Sequence, residues 1–299
     1  MAKRVLILGG GGMLGHKLAQ VLAEGFDVYA TVRQTSQAYV RHELFDPSRL
    51  LSHVSAQDTD SILRAIERAR PEVIVNCVGI VKQDAAAKDP LTSISINALF
   101  PHKLAGICRA ASIRLVHLST DCVFSGRKGN YDENDVSDAE DLYGRTKFLG
   151  EVSGELCLTL RTSMIGRELQ GAHGLVEWFL SQEGKTVRGF RRAVFSGFTT
   201  LELARIVAKV IDERPAMHGV WHVAAEPINK FDLLSLIKEV YGLKVKIEPD
   251  ESFVCDRSLN AGRFWQTVNS APKPWPQMIE EMQKDSTPYA EIRRNNAHG

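Results

Sequence analysis

Val5-Leu6-Ile7-Leu8-Gly9-Gly10-Gly11-Gly12-Met13-Leu14-Gly15 is the stretch on which the fold turns. Its four-residue apolar run has the pattern of a strand buried on both faces. Glycines follow at 9, 12 and 15, and Leu14, Leu18, Val21 and Leu22 then recur at helical spacing. A strand, a glycine-rich turn and a helix in that order suit a dinucleotide for a physical reason. Backbone N–H groups at the helix N-terminus point at a pyrophosphate, a Cβ at closest approach would block it, and a further small residue lets the helix pack against the sheet. A turn with no ligand is the plainer alternative, but the strand–loop–helix context favours dinucleotide binding. The spacing assigns Gly9, Gly12 and Gly15 to the pyrophosphate, with Met13 and Leu14 beside it; Gly10 also satisfies a G-x-G-x-x-G register.

Outward from this loop, strand-like and helix-like patterns alternate. Asp27 to Val32, Val73 to Val75, Leu115 to Leu118 and Cys157 to Leu160 read as strands, and Leu50 to Val54 as a weaker one. Ile62, Leu63 and Ile66, then Phe100, Leu104, Ile107, Cys108 and Ala111, mark the intervening helices. Such alternation predicts an α/β chain: a Rossmann-like doubly wound parallel sheet with helices on both faces. Beyond Arg161 the rhythm loosens. The expectation is a dinucleotide-binding domain over 1–165, joined by about 195–225, and a smaller mixed α/β substrate-binding region over 166–299, interleaved with the first. Pro272, Pro274 and Pro276 argue against regular structure between them, and the polar end from Asn295 to Gly299 is expected to fray.

The second strand ends Ala30-Thr31-Val32-Arg33-Gln34 without the carboxylate that holds the ribose hydroxyls in NAD-binding folds. Arg33 has the planar fork that pairs with a 2′-phosphate, so NADP(H) is the expected cofactor. The 299 residues are 44% hydrophobic and 24% charged, with net charge +1, so neither nucleic acid nor an anionic membrane is an implied partner. No apolar run is long enough to span a bilayer, and the expected location is the cytoplasm. Cys77, Cys108, Cys122, Cys157 and Cys255 are scattered and show no C-x-x-C, so neither a disulfide framework nor a metal site is expected. His117 and His222 lie in strands and read as packed side chains.

The chemistry-bearing residues follow the strand Leu115–Leu118, which delivers Ser119-Thr120-Asp121 to the sheet edge where open α/β folds bind ligands. Tyr143 and Lys147 stand four apart and share one face of a helix. A tyrosine of pKa about 10 is a poor acid–base group at neutral pH, and a nearby ammonium stabilises its phenolate. Thr120 would orient the substrate oxygen. A Tyr-x-x-x-Lys by itself is as readily a surface pair; the glycine loop and the hydroxyl at the strand end, in this order, make it a strong signal.

GGGGMLG, NCVG at 76–79, HLSTDCVFSG at 117–126 and YGRTK at 143–147 resemble the extended short-chain dehydrogenases/reductases. STDCVFSG with Tyr131 and Glu133, YGRTKFLGE, Leu160-Arg161-Thr162-Ser163 and Asp256-Arg257-Ser258-Leu259-Asn260 narrow the likeness to the dTDP-4-dehydrorhamnose reductases and related sugar-nucleotide reductases. The resemblance covers nearly the whole chain and is weakest between 165 and 250. It implies NADPH-dependent reduction of the 4-keto group of a nucleotide-activated deoxy sugar, in deoxysugar or surface polysaccharide biosynthesis. It implies Tyr143 as proton donor, Lys147 on the nicotinamide ribose, Thr120 on the reacting oxygen, and Asn76, Cys77 and Gly79 along the cofactor cleft. Lys82 and Asp121 would border the sugar, and Arg192 or Arg257 would meet its diphosphate, with Arg263 a further cation in that half. Asn97 lies on the helix beside the active site. Relatives form dimers, so a homodimer is implied. Two departures stand out. Cys77-Val78-Gly79-Ile80-Val81-Lys82-Gln83 replaces an alanine-rich stretch, and Ser55 stands where an aspartate near the adenine is usual, so Asp58 substitutes for it or the contact is lost. An epimerase or dehydratase of the same fold, and a non-catalytic NADP-binding regulatory subunit, are the competing readings.

Overall fold

The computed structural model describes residues 2–34, 39, 44–81 and 85–296. The first half carries strands β1 (Arg4–Leu8), β2 (Asp27–Thr31), β3 (Leu50–Leu51), β4 (Val73–Asn76), β5 (Arg114–Thr120) and β6 (Cys157–Thr162). The second half adds β7 (Met164–Ile165), β8 (Thr186–Phe190), β9 (Ala193–Phe195), β10 (Phe198–Thr199), β11 (Gly219–His222), β12 (Ile228–Asn229), β13 (Lys246–Asp250) and β14 (Cys255–Asp256). Seven of these form one parallel sheet in the order β11-β6-β5-β4-β1-β2-β3. Strands 3-2-1-4-5-6 in that succession are the doubly wound dinucleotide-binding order. The order reverses between β1 and β4, so a crevice opens at their C-terminal ends.

The apolar run at β1 explains why helices cover both faces. Val5 and Ile7 point to one side, where Leu18 and Leu22 of the helix Gly15–Leu22 and Leu203, Val207 and Val210 of the helix Thr200–Glu213 meet them. Leu6 and Leu8 point to the other, against Ile62 and Ala65 of Thr59–Ala69 and Phe100, Leu104 and Cys108 of Phe100–Ala110. Val5, Leu6, Ile7 and Leu8 are all fully buried. Each contributes roughly 1.5–3 kcal/mol on leaving water, which only a strand covered on both faces can collect.

The second half of the chain also forms three small sheets, β10-β7, β12-β9-β14 and β13-β8. Strand β11 returns from the second half of the chain to pair with β6 at the edge of the main sheet. Among the described residues no helix is long and apolar enough to cross a membrane.

Several boundaries differ from the sequence-based expectation. The strand expected over 50–54 is paired only at Leu50 and Leu51. The proline-rich stretch is not wholly irregular: a helix runs from Trp275 to Gln283 with Pro276 in its first turn. There a missing N–H costs nothing, because the first N–H groups of a helix have no intrahelical partner. Asn295 and Asn296 belong to the last helix, Tyr289–Asn296, while 297–299 lie outside the described residues.

Candidate active site

The glycine loop divides its labour. Gly9 adopts φ +85°, a conformation open to glycine, and its carbonyl accepts the Gly12 N–H at 3.0 Å. A Cβ on Gly15 would collide with that same carbonyl oxygen and with Cα of Gly10. Gly9 and Gly15 therefore close the loop onto itself and onto the helix. Only at Gly12 is the outer face open: a Cβ there meets nothing closer than the Gly9 oxygen at 3.3 Å. Of the three glycines assigned to the pyrophosphate, Gly12 is the one left at the surface of closest approach; Gly15 is buried. Leu14 points down into the core, 5% exposed, whereas Met13 faces the adjoining cleft. The helix that follows has no acidic side chain in its first turn, so its N-terminal N–H groups and partial positive charge are free to meet an anion. An open glycine over an uncapped, uncountered helix end fits a dinucleotide pyrophosphate.

Beside this loop is a cleft of about 390 Å³, walled on one side by Met13, Thr120, Asp121 and Tyr143 and on the other by Phe195, Lys230, Phe253 and Arg257. Thr120 ends β5, and its hydroxyl accepts the Cys122 N–H at 3.1 Å and donates to Asp121 Oδ1 at 3.2 Å. Burial raises the Asp121 carboxyl above its ordinary range, against the pull of the cations Arg257 and Lys230. Tyr143 and Lys147 share the helix Leu142–Leu149, whose N-cap Asp141 accepts the Gly144 N–H at 2.8 Å. Gly144 lets that helix press on the Cys122 carbonyl, where a Cβ would collide. This is what carries Tyr143 to the end of β5.

Tyr143 and Lys147 are each shifted by burial. Burial pushes the Tyr143 phenol above its usual range, with the Thr120 hydroxyl opposing. Lys147 turns to the main chain, where Nζ donates to Leu118 O at 2.7 Å. Burial brings its ammonium down to about 8, with Glu151 opposing.

The remaining expected residues separate. Asn76 is fully buried, donating toward His117 Nδ1 at 3.1 Å and accepting the Val78 N–H at 3.1 Å, so it shapes the loop after β4 without lining the cleft. Burial pushes the Cys77 thiol up to about 12. Gly79 lies near Asn97 and Lys147. Asn97, on the π-helical turn Ile94–Leu99, clamps Ile80 with a pair of bonds at 2.8 and 3.0 Å, which is a structural task. Arg33 is exposed at the end of β2. Asp58 caps the helix Thr59–Ala69, accepting from the Asp60 and Ser61 N–H groups, a role worth ~1 kcal/mol. Arg257 lines the cleft, tethered by Nε to Phe124 O at 2.9 Å. Arg192 does not: it is exposed in the turn before β9, and Ala193, Val194 and Phe195 face the cleft in its place. Arg263 is likewise turned away, lying 3.5 Å over the Trp221 ring. Lys82 lies outside the described residues.

Sequence reasoning missed Lys230, Phe253, Glu168 and His173, all in the cleft wall. Lys230 is the most telling. Its Nζ sits 4.0 Å over the Phe195 ring, and burial lowers its affinity for a proton while Asp121 opposes. Only its place at the start of the helix Lys230–Tyr241 puts it there, and no local pattern marks it.

Comparison with known proteins supplies the family. The family model described as "RmlD substrate binding domain" matches residues 3–274. A dTDP-4-dehydrorhamnose reductase of Mycolicibacterium smegmatis is 33% identical over 154 residues, 50% of this chain and 41% of that protein. The chain spans less than half the length of the first curated relatives it matches. The crystal structure of a hypothetical dTDP-4-dehydrorhamnose reductase from Sulfolobus tokodaii superposes with a TM-score of 0.76 at 25% identity, covering 91% of this chain and 98% of that one. That of Bacillus anthracis dTDP-4-dehydrorhamnose reductase, determined in complex with NADP, gives a TM-score of 0.76 at 21% identity over 94% of this chain and 99% of that one, which speaks to the fold.

Proposed function

Because the chain belongs to the family described as the RmlD substrate binding domain, we propose that it is an NADPH-dependent reductase of the 4-keto group of a nucleotide-activated deoxy sugar. One observation carries this reading: the glycine loop, through Met13, and the acid–base residues Thr120 and Tyr143 wall the same cleft. The dinucleotide, when bound over Gly12, supplies hydride to the sugar carbon. The chain's own residues then have three tasks. Tyr143 holds its proton, since burial keeps the phenol neutral, and gives it to the keto oxygen as negative charge develops there. The Thr120 hydroxyl orients that oxygen. Lys147 places a cation beneath the site to hold the nicotinamide ribose and offset the phenolate that Tyr143 becomes. Arg257 meets the substrate diphosphate from the opposite wall, and Arg33 meets the 2′-phosphate. The reading also divides the chain: residues 1–165, with the returning segment 195–225, hold the cofactor, and 166–299 supply the substrate wall. The site of action would be the cytoplasm, where nucleotide sugars are made.

The test is a panel of nucleotide 4-keto-6-deoxy sugars with NADPH, followed at the nicotinamide absorbance. Consumption of NADPH that depends on the sugar is the expected result. Interconversion of sugars without net NADPH use would replace the reductase with an epimerase, and dinucleotide binding without turnover of any sugar would leave a regulatory subunit.

A further inference from the structure

The residues after 274 lie outside the family match, yet they reach the phosphate loop. His16 and Lys17 sit in the first turn of the loop helix, 0% and 2% exposed. Two consecutive polar side chains so deeply buried are costly unless each is paired. Their partners come from the far end of the chain. Lys17 Nζ lies 2.5 Å from Asp285 Oδ2 and donates to Thr287 Oγ1 at 2.8 Å. His16 Nδ1 lies 2.8 Å from the carbonyl of Gly12, the open glycine, and Nε2 lies 3.0 Å from the Tyr289 hydroxyl. That hydroxyl donates in turn to Asp285 at 2.8 Å. Arg167, paired with Glu177, covers the Tyr289 ring at 4.8 Å.

Counting protons along this chain gives a result that distances alone do not. Gly12 O and the Asp285 carboxylate only accept, and Lys17 keeps Asp285 ionised. Three hydrogen bonds, from Nδ1 to Gly12 O, from Nε2 to the phenol oxygen and from the phenol to Asp285, require three protons. Tyr289 brings one and a neutral His16 one. The third is present only when His16 is an imidazolium. Burial opposes that form, taking His16 down to about 4, with Lys17 also opposing and the Gly12 carbonyl and Asp285 favouring it. Without an anion on the loop the chain is therefore one proton short.

We propose that the segment Asp285–Tyr289 is part of the dinucleotide site: it positions His16 against the Gly12 carbonyl, and seating the pyrophosphate on the loop draws one proton from solvent onto His16. The diphosphate charge supplies the stabilisation that burial withholds. Tyr289 and His16 are positioning residues, since neither touches the cofactor. The inference rests on the dinucleotide reading above and goes beyond it in assigning the chain end a place in binding.

The experiment is calorimetric titration of NADPH into the whole protein at near-neutral pH, in two buffers of different ionisation enthalpy, for the wild type, His16→Gln and Tyr289→Phe. Thermal melts of the three proteins check folding. Wild type should take up a proton on binding. Both variants should lose that uptake, and Tyr289→Phe should bind NADPH roughly tenfold more weakly, the scale of one hydrogen bond to a charged group. Imidazole NMR should show His16 neutral without NADPH and protonated with it, a readout available even where one variant folds poorly. Uptake that persists in His16→Gln belongs to the 2′-phosphate and overturns the proposal, as does binding without uptake in the wild type. A wild type that binds no dinucleotide removes the dinucleotide reading as well, so the two failures are told apart.

Discussion

Tyr143 and Arg33 are where single atoms decide the chemistry. Tyr143→Phe removes one oxygen and leaves the ring that packs beside Thr120 and Cys122. General acid catalysis contributes roughly 10²–10⁴-fold, so kcat should fall by about that factor while NADPH affinity, measured by fluorescence titration, stays unchanged. Near-normal turnover would remove Tyr143 from the mechanism. Arg33→Ala tests the cofactor. A charge-assisted bond to phosphate is worth roughly 1.5–3 kcal/mol, so NADPH should weaken by about ten- to a hundredfold and NADH hardly at all. Equal losses for both cofactors would show that Arg33 is a solvated surface arginine.

At the scale of the element, the loop between β1 and the helix Gly15–Leu22 contains two kinds of glycine. Gly15 is held by packing, since its Cβ would meet the Gly9 carbonyl. Gly12 is held by what approaches from outside. Gly15→Ala should therefore lower the melting temperature and spoil binding together, because the loop must open to admit a methyl group. Gly12→Val should leave the melting temperature close to wild type and abolish dinucleotide binding. If Gly12→Val bound NADPH normally, the loop would be only a turn. The helix Leu142–Leu149 makes the same point: Gly144 and the Asp141 cap set its approach to Cys122, and with it the position of Tyr143.

For the molecule as a whole, the buried ammonium of Lys147 couples stability to pH. Its pKa in the folded chain is about 8, below the ordinary lysine value of 10.5. Between those values the unfolded chain binds more protons than the folded one, so stability rises with pH across the window, by roughly 1.4 kcal/mol per unit at most. Below about pH 8 both states are charged and the full burial cost is present. Cofactor-free wild type should thus gain stability from pH 8 toward 10 relative to Lys147→Met, measured by denaturant titration. A flat difference between the two proteins would place Lys147 in contact with water. The buried pair Arg161–Glu151, 2.8 Å apart with both side chains 6% exposed, ties β6 to the segment leaving the Tyr143 helix. It keeps the active-site helix and the sheet in one register.

The amino-acid sequence alone determined the parallel sheet, the glycine loop and the pairing of Tyr143 with the end of β5. Each of these is written in short-range pattern: an apolar run, a glycine period, a four-residue spacing, a strand end. Tertiary structure alone decided the rest. Lys230 and Arg257 reach Asp121 from segments far along the chain, and Arg192, with the same charge, does not, because side-chain direction along β9 and the turn before it is settled by packing. Lys147 bonds to Leu118 O because the fold sets the helix Leu142–Leu149 against the end of β5. His16 and Lys17 look like ordinary surface residues until Asp285 and Tyr289 fold back on them, since a partner more than two hundred residues away leaves no mark on local sequence.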